Sequence, residues 1–413
     1  MKILIVGAGI GGLTTALSLH KAGFEVHVYE SSAEIKALGV GINILPHAIR
    51  VLTNLNLLDE LLKVAVPTSE LCYFNKFGQR IWQEPRGKFA GYNWPQLSIH
   101  RGALQMVLLN AVKAAIGENH IHTSHHLQYC ENKRDKVSAT FVVKDTNEIA
   151  ATVEGDLLIG ADGIHSVVRR QFYPDEGHPK FAGIMLHRGT SMTRPYLSGS
   201  SMIMAGSTDK KFIAYPISTE IDANGNQLIN WIADLRVSPD IHLSRDWNRM
   251  ADKDKLLSEF SSWKFDWLDV PQIIRDAEAI YEFPMSDRDP LPAWSFGRIS
   301  LLGDAAHPMY PIGSNGASQA ILDAERLTEA LTQHANAATA LIAYQNIRLP
   351  QTSRVTLQNR QMGPEGVMQI VEERAPDGFT NLYNVISQEE LEAISTHYKK
   401  IAGFEKEELN QKK

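Results

Sequence analysis

The sequence predicts an α/β protein with three parts: a Rossmann-like, three-layer dinucleotide-binding domain, an inserted and mostly antiparallel β-sheet domain, and C-terminal helices. Three observations predict it. Within the first thirty residues a short apolar strand runs into a glycine-rich turn, a helix and a second strand. Two more strand–turn–helix units recur far downstream, at residues 155–170 and 298–324. Between those two lies a stretch with strand patterning and few helices. At 413 residues, 44% hydrophobic and 21% charged, the chain has ordinary globular composition and enough length for two or three domains.

The N-terminal unit is the most specific of the three. Residues 3–6 are a continuous apolar run with β-branched side chains, as a buried parallel strand requires. The run Gly7-Ala8-Gly9-Ile10-Gly11-Gly12 then matches G-x-G-x-x-G at Gly7, Gly9 and Gly12. Leu13, Ala16, Leu17 and Leu19 form an apolar helical face, and Gly23 stands where a C-cap glycine belongs. Residues 25–30 read as the second strand and end at the acidic Glu30. Gly7 permits the tight turn, Gly9 lets backbone approach a pyrophosphate, and Gly12 lets the helix pack against the sheet. The helix start supplies free N–H groups and partial positive charge. Glu30 can accept hydrogen bonds from ribose hydroxyls and would repel a 2′-phosphate, so the tightly held nucleotide is expected to be FAD or NAD rather than NADP. The strand–glycine–helix–strand context outweighs a glycine turn that binds nothing.

Residues 46–63 read as a helix with Ile49, Leu52, Leu55 and Leu58 near one face, and residues 102–115 as another, directly after Arg101. At 155–170 a buried strand meets the turn Ala161-Asp162-Gly163, and Ser166 is positioned to cap the next helix. Residues 184–191, 202–207, 212–217 and 228–237 look like strands of a sheet that forms the wall of a substrate cavity. Met202, Met204, Tyr215 and Trp231 are the candidate lining residues, with plain core packing the competing reading for each. Trp231, Ala233 and Leu235 share a face by period-two alternation. Arg188 either faces a substrate carboxylate or bridges the domains. At 298–324 a strand leads to Gly303-Asp304, and a Pro- and Gly-rich loop leads to a helix beginning near Gly316. A carboxylate just past a strand end suits a polyol, because it accepts from sugar hydroxyls.

Helices are expected at 316–332, 337–374 and 387–402. The last has Ser387 and Glu390 as a capping box, Leu391, Ile394, Tyr398 and Ile401 on one face, and Gly403 as its stop. It is expected to dock on the body or to mediate homodimerisation. The boundaries expected are 1–75, 101–178 and 285–375 for the dinucleotide-binding domain, 76–100 and 179–284 for the sheet domain, and 376–413 for the C-terminal segment.

A formal net charge of −6 and the absence of a basic stripe argue against a dedicated nucleic-acid binder. Cys72 and Cys130, the only cysteines, give neither a disulfide framework nor a metal-ligand set, so no metal is expected and the chain reads as cytoplasmic. No apolar run approaches the roughly 18 residues needed to span a bilayer, and the N-terminal apolar run is too glycine-rich for a signal peptide.

The fingerprint at Gly7 to Gly12, Asp162-Gly163 and Gly303-Asp304 occur in the order and spacing of the class A flavoprotein monooxygenases, the para-hydroxybenzoate hydroxylase family, which the chain resembles over residues 1 to about 375. Gly39 to Ile44, Ser98 to Gly102, Asp287 to Pro292 and Gly313 to Ala320 resemble the 5-methylphenazine-1-carboxylate 1-monooxygenase-like members. The segment from Arg374 onward resembles a broader set of flavin-dependent oxidoreductases. The resemblance implies an FAD-binding domain, NAD(P)H as co-substrate, O₂, and hydroxylation of a small aromatic molecule through a flavin C4a-hydroperoxide. It assigns Gly7, Gly9, Gly11, Gly12 and Glu30 to the FAD pyrophosphate and adenosine ribose. Arg101 goes to phosphate or ribityl oxygens, Asp304 to the ribityl hydroxyls, and Pro311, Gly316 and Ala317 to the loop beside the flavin ring. Asp162 is expected to give structural support. His307 is expected to be structural as well, and nothing selects His100, His187 or Tyr215 as an acid or base. A flavin oxidase, reductase or halogenase, or a flavin-binding protein without turnover, is the alternative on the same fold. No Trp-x-Trp-x-Ile-Pro segment of the halogenase kind is present.

Overall fold

A computed structural model describes residues 1–37, 39–238 and 249–412. The apolar N-terminal run becomes the strand Lys2–Val6 at the centre of a six-stranded sheet. The order across this sheet is Ser295–Phe296, Ile299–Leu301, Leu157–Gly160, Lys2–Val6, Glu25–Tyr29 and Ile121–His122, parallel except for the first pair. Helices Ile10–Lys21, Arg101–Ile116 and Gly316–Gln333 pack together on it. An antiparallel sheet of His126–Asn132, Val137–Val142 and Ile149–Gly155 shares its core, giving three layers around Ile3, Leu4, Ile5, Leu13 and Phe141.

The second domain is a seven-stranded sheet. Its order is Ile280–Asp287, Lys180–Thr193, Gln227–Arg236, Lys210–Ile221, Ser201–Gly206, Glu70–Phe74 and Arg80–Pro85. Every pairing is antiparallel except that of Ser201–Gly206 with Glu70–Phe74. One face packs on the helices Lys253–Phe260 and Val270–Asp276 through Phe212, Trp231, Phe260 and Ile274. The other packs on Val367, Met368, Ile386 and Leu391 from the C-terminal third of the chain.

Four expectations need correction. The hairpin of Glu70–Phe74 and Arg80–Pro85 belongs wholly to this sheet, so the sheet domain begins before residue 76, and Ile280–Asp287 carries it past 284. Leu97–His100 instead pairs with Gly41–Ile44 and Ala65–Pro67 in a small separate sheet. The single helix expected at 46–63 is two, Pro46–Asn54 and Leu58–Lys63, because Asn56 turns left-handed at φ 60°. The helix expected at 337–374 breaks after Arg360, where Met362 (φ 67°) and Gly363 (φ 47°) reverse the backbone ahead of Gly366–Arg374.

The C-terminal helix Gln388–Ala402 is docked on the body, and Gly403 ends it in the left-handed conformation. Ser387 caps it by accepting from Glu390 N (3.2 Å), while the Glu390 carboxylate pairs with Arg374 at 2.8 and 2.9 Å.

Candidate active site

The glycine loop is shaped by contacts that leave no room for side chains. A Cβ on Gly12 would lie 2.0 Å from the Gly7 carbonyl oxygen. One on Gly7, whose φ is +105°, would lie 2.4 Å from the Ala161 carbonyl oxygen. Gly9 meets nothing within 4 Å and faces open space at the helix start, which is where an anion is favoured. Gly11 points the other way, onto Leu302 and Ala320, and is a packing glycine. Glu30 closes the loop from below. Its Oε2 accepts from Ala8 N at 2.9 Å and its Oε1 from Ser32 N at 2.8 Å, so the terminal acid fixes the loop and keeps spare lone pairs.

Asp162 works inside the protein. Its Oδ2 accepts from Val167 N at 2.7 Å at the start of the helix Val167–Phe172, where Ser166 caps Arg169 N at 2.9 Å. Burial raises its carboxyl pKa, and Oδ1 has no protein partner. Arg169, which the sequence reading passed over, is 1% exposed. It donates to the Ala305 and Ala306 carbonyls at 3.1 and 2.9 Å and pairs with Glu176, so it ties the Asp-Gly unit to the Gly-Asp unit.

Asp304 has the opposite environment. It opens onto free space, and a side chain at Gly316 would start 4.0 Å from its Oδ1, so the carboxylate stands at the N-terminus of Gly316–Gln333. The surrounding protein pushes its pKa up, while the charges of His307 and Arg101 pull it down. Arg101 is exposed at the first position of its own helix, beside Gly39. His307 is buried, with Nε2 2.6 Å from Asp323 Oδ2; the same carboxylate accepts from Gly303 N at 3.0 Å and Arg348 Nε at 2.7 Å. Burial raises the Asp323 pKa, but His307 and Arg348 outweigh it and the net shift is downward. This is a structural network that holds the Gly-Asp turn.

The loop from Pro311 to Ala317 turns through Gly313 (φ 65°) and Ser314 (φ 58°). Tyr398 of the C-terminal helix clamps it: the hydroxyl accepts from Asn315 Nδ2 at 2.8 Å and lies 2.8 Å from Asn359 Oδ1. Opposite the loop is the sheet face that carries Leu71, Tyr73, Met202 and Met204. Between them lies a small cavity of about 20 Å³, lined also by Gly313, Ser314 and Tyr398.

The sheet pleat sorts the remaining candidates. Met204 lines this cavity. Tyr215 is on the same face, 3% exposed; burial raises its phenol pKa against the opposing pull of Arg188, Asn43 and Asn230. Arg188 is on that face too, its guanidinium 5.8 Å from the Phe283 ring. Trp231 is not. It pairs with Ala214 and packs on Phe212 and the two helices behind the sheet, its Nε1 donating to Ser191 Oγ at 2.9 Å. Trp231 is therefore removed from the lining set. Alternation put it on one face but could not say which face is the wall. Tyr73, Glu84 and Arg86 were missed because residues 70–86 were divided between two domains; the alternation Ile81, Gln83, Pro85 against Trp82, Glu84, Arg86 was the available signal. His187 bonds the Ala233 carbonyl at 3.1 Å, and burial lowers its pKa.

The FAD binding domain family matches residues 1–359. The chain belongs to that family, as a class A flavoprotein monooxygenase. Phenazine 1,6-dicarboxylic acid hydroxylase PhzS of Lysobacter antibioticus is 43% identical over 361 residues, covering 87% of this chain and 89% of its own. The 6-hydroxynicotinate 3-monooxygenase of Bordetella bronchiseptica is 28% identical, covering 86% and 89%. Klebsiella pneumoniae HpxO, solved with FAD and uric acid, shares the fold with a TM-score of 0.76 at 23% identity, over 98% of this chain and 95% of that one. The monooxygenase uses FAD as cofactor and NAD(P)H as co-substrate, and acts on aromatic substrates. No described helix is long and apolar enough to cross a membrane.

Proposed function

We propose that this monooxygenase hydroxylates a planar, phenazine-like heteroaromatic molecule bound between the sheet and the loop Gly313 to Ala317. The observation that carries the reading is the apolar sheet face set opposite that loop. It presents Leu71, Met202 and Met204, and is bounded opposite by the stretch that precedes the Gly316 helix. The phenazine name of the 43% identical relative supports the same class of substrate.

FAD fits the residues present. The open approach at Gly9, with its neighbours filled by backbone, suits a pyrophosphate; Glu30 retains lone pairs for ribose hydroxyls, and Arg101 stands beside Gly39 for phosphate or ribityl oxygens. Asp304 suits the ribityl chain. Pro311, Gly316 and Ala317 would sit beside the ring, with the positive end of Gly316–Gln333 aimed at developing negative charge. Held by these residues and reduced by NAD(P)H, FAD would supply the activation of O₂ to an electrophilic oxygen donor. The chain supplies the rest. Leu71, Met202 and Met204 keep water from the reacting centre, Tyr215 is held protonated within the same wall, and Tyr398 fixes the loop.

The test is NAD(P)H oxidation by the holoenzyme with phenazine-1,6-dicarboxylate. Stimulated oxidation with a product heavier by one oxygen atom is expected; no stimulation and no product would reject the substrate class. Asp304→Ala should weaken FAD retention by roughly tenfold to a hundredfold, read as flavin lost on gel filtration. Full retention would remove Asp304 from the site.

A further inference from the structure

The methionines are unevenly placed. The chain has 11, and four of them, Met202, Met204, Met285 and Met368, sit in the core cluster of the sheet face opposite the loop, each 3% exposed or less. Among the described residues, neither the core behind the sheet nor the core of the dinucleotide-binding domain has a buried methionine. The core behind the sheet is filled by rings instead, Phe212, Trp231, Phe260 and Trp263 among them. Packing alone does not require thioethers in one place, because leucine substitutes for methionine at little cost.

Met202 and Met204 also line the small cavity beside Gly313 and Ser314. Its volume of about 20 Å³ holds one molecule of water's size, and hydrogen peroxide is little larger. Glu84, Arg86 and Lys399 line it too and supply polar partners for such a guest. The thiols, by contrast, are out of reach. Cys72 lies in the core behind the sheet and Cys130 in the dinucleotide-binding domain. Burial pushes both up to about 12, so neither offers the thiolate that reacts with peroxide. A thioether reacts without losing a proton.

We infer that Met202 and Met204 are oxidation sites for hydrogen peroxide made in the active site when the reduced enzyme meets O₂ with no aromatic molecule to hydroxylate. The oxidant is the enzyme's own: two electrons from the reduced flavin and two protons convert O₂ to H₂O₂. A methionine sulfur lone pair attacks one peroxide oxygen. The O–O bond breaks, an S–O bond forms, and the second oxygen leaves as water with both peroxide protons. Methionine is oxidised by two electrons to its sulfoxide, and the peroxide is reduced. The product is polar where the wall was apolar, so idle turnover closes the site to a flat ring. The inference rests on the reading that the loop Gly313 to Ala317 lies beside the flavin.

The test is peptide mass spectrometry on the holoenzyme. The bound flavin is reduced anaerobically with dithionite, air is admitted, and the cycle is repeated with catalase in solution to destroy escaped peroxide. Met250, 56% exposed, is the control for peroxide acting from outside. Sulfoxide at Met202 or Met204 should exceed that at Met250 by roughly tenfold or more. Peroxide added to the unreduced holoenzyme should reverse the order, with Met250 oxidised first. The double variant Met202→Leu/Met204→Leu keeps the packing and should outlast wild type over the same cycles, each measured against its own starting rate of NAD(P)H oxidation. Equal losses would mean that the sulfoxides do not close the site. If Met202 and Met204 stay unmodified through cycles that consume O₂, or are oxidised no faster than Met250, the inference is wrong, while hydroxylation of phenazine-1,6-dicarboxylate would leave the proposed function standing. If they are oxidised and that compound gives no product, the substrate class fails and the inference stands.

Discussion

Trp231 and Tyr73 are both large aromatic residues with a polar tip, 0% and 1% exposed, on opposite faces of one sheet. Behind the sheet, Trp231 Nε1 donates to Ser191 Oγ at 2.9 Å, and Ser191 donates on to the Ile273 carbonyl at 2.7 Å. In front, the Tyr73 hydroxyl has no partner, nor do Nε of Arg86, Nε of Arg188 or Nδ2 of Asn230. Among the described residues of the rear core, only the Tyr196 hydroxyl is similarly left over. The same strands therefore build a satisfied core on one side and an unsatisfied wall on the other. A core is completed by the chain, whereas a binding wall is completed by what it binds.

The largest expected effect tests the rear face. Trp231→Ala should cost about 3–5 kcal/mol in denaturant unfolding, because the void among Phe212, Phe260 and Ile274 cannot collapse easily. Tyr73→Phe should change stability by less than about 1 kcal/mol, since it removes a hydroxyl that bonds nothing. Equal losses in the two variants would break the contrast.

An unpartnered buried group marks a ligand site only where it borders free space, and His47 sharpens that rule. It is 1% exposed, neither ring nitrogen has a partner, and its ring stacks on Phe404 at 5.4 Å. Burial, helped by the positive charges of Arg348, Lys412 and Arg50, lowers its pKa from 6.5 to about 3. The folded chain thus binds fewer protons here than the unfolded chain between those values. Stability rises with pH through this window and is lost on acidification, by about 1.4 kcal/mol per unit. Comparing unfolding free energies at pH 7.5 and 5.5, His47→Leu should lose about 1.4 kcal/mol less than wild type across those ~2 units. Identical pH dependences would show that His47 finds a partner after all.

The same contrast explains what the sequence disclosed. Gly7 and Gly12 were legible because their constraint is local: a backbone turn and a helix against a strand dictate glycine, whatever the rest of the chain does. The place of Asp304 was legible because it stands just past a strand end, three residues after Leu301. Which face of the sheet Trp231 occupies depends instead on elements over twenty residues away, Lys253–Phe260 and Val270–Asp276, and no alternation encodes that. Arg86 and Tyr73 were hidden because their hairpin joins the sheet by a parallel pairing, Ile203 with Cys72, made across 131 residues. Arg169 was hidden because a buried arginine looks like a surface one until the carbonyls it serves are known.

The smallest effect concerns the roof over the front face. Ser387 accepts from Glu390 N at 3.2 Å and starts the helix that carries Ser395, Tyr398 and Lys399 over the cavity. Ser387→Ala should cost about 1 kcal/mol of stability through the lost cap. The first turn is exposed, and the far end is pinned separately by Tyr398 on Asn315 and by Lys399 on Glu84. Dicarboxylate binding should therefore stay within about twofold of wild type, as for a surface change away from the site. If affinity instead falls tenfold or more, fraying has reached Tyr398, and the front face would owe its shape to the order of this helix rather than to the sheet.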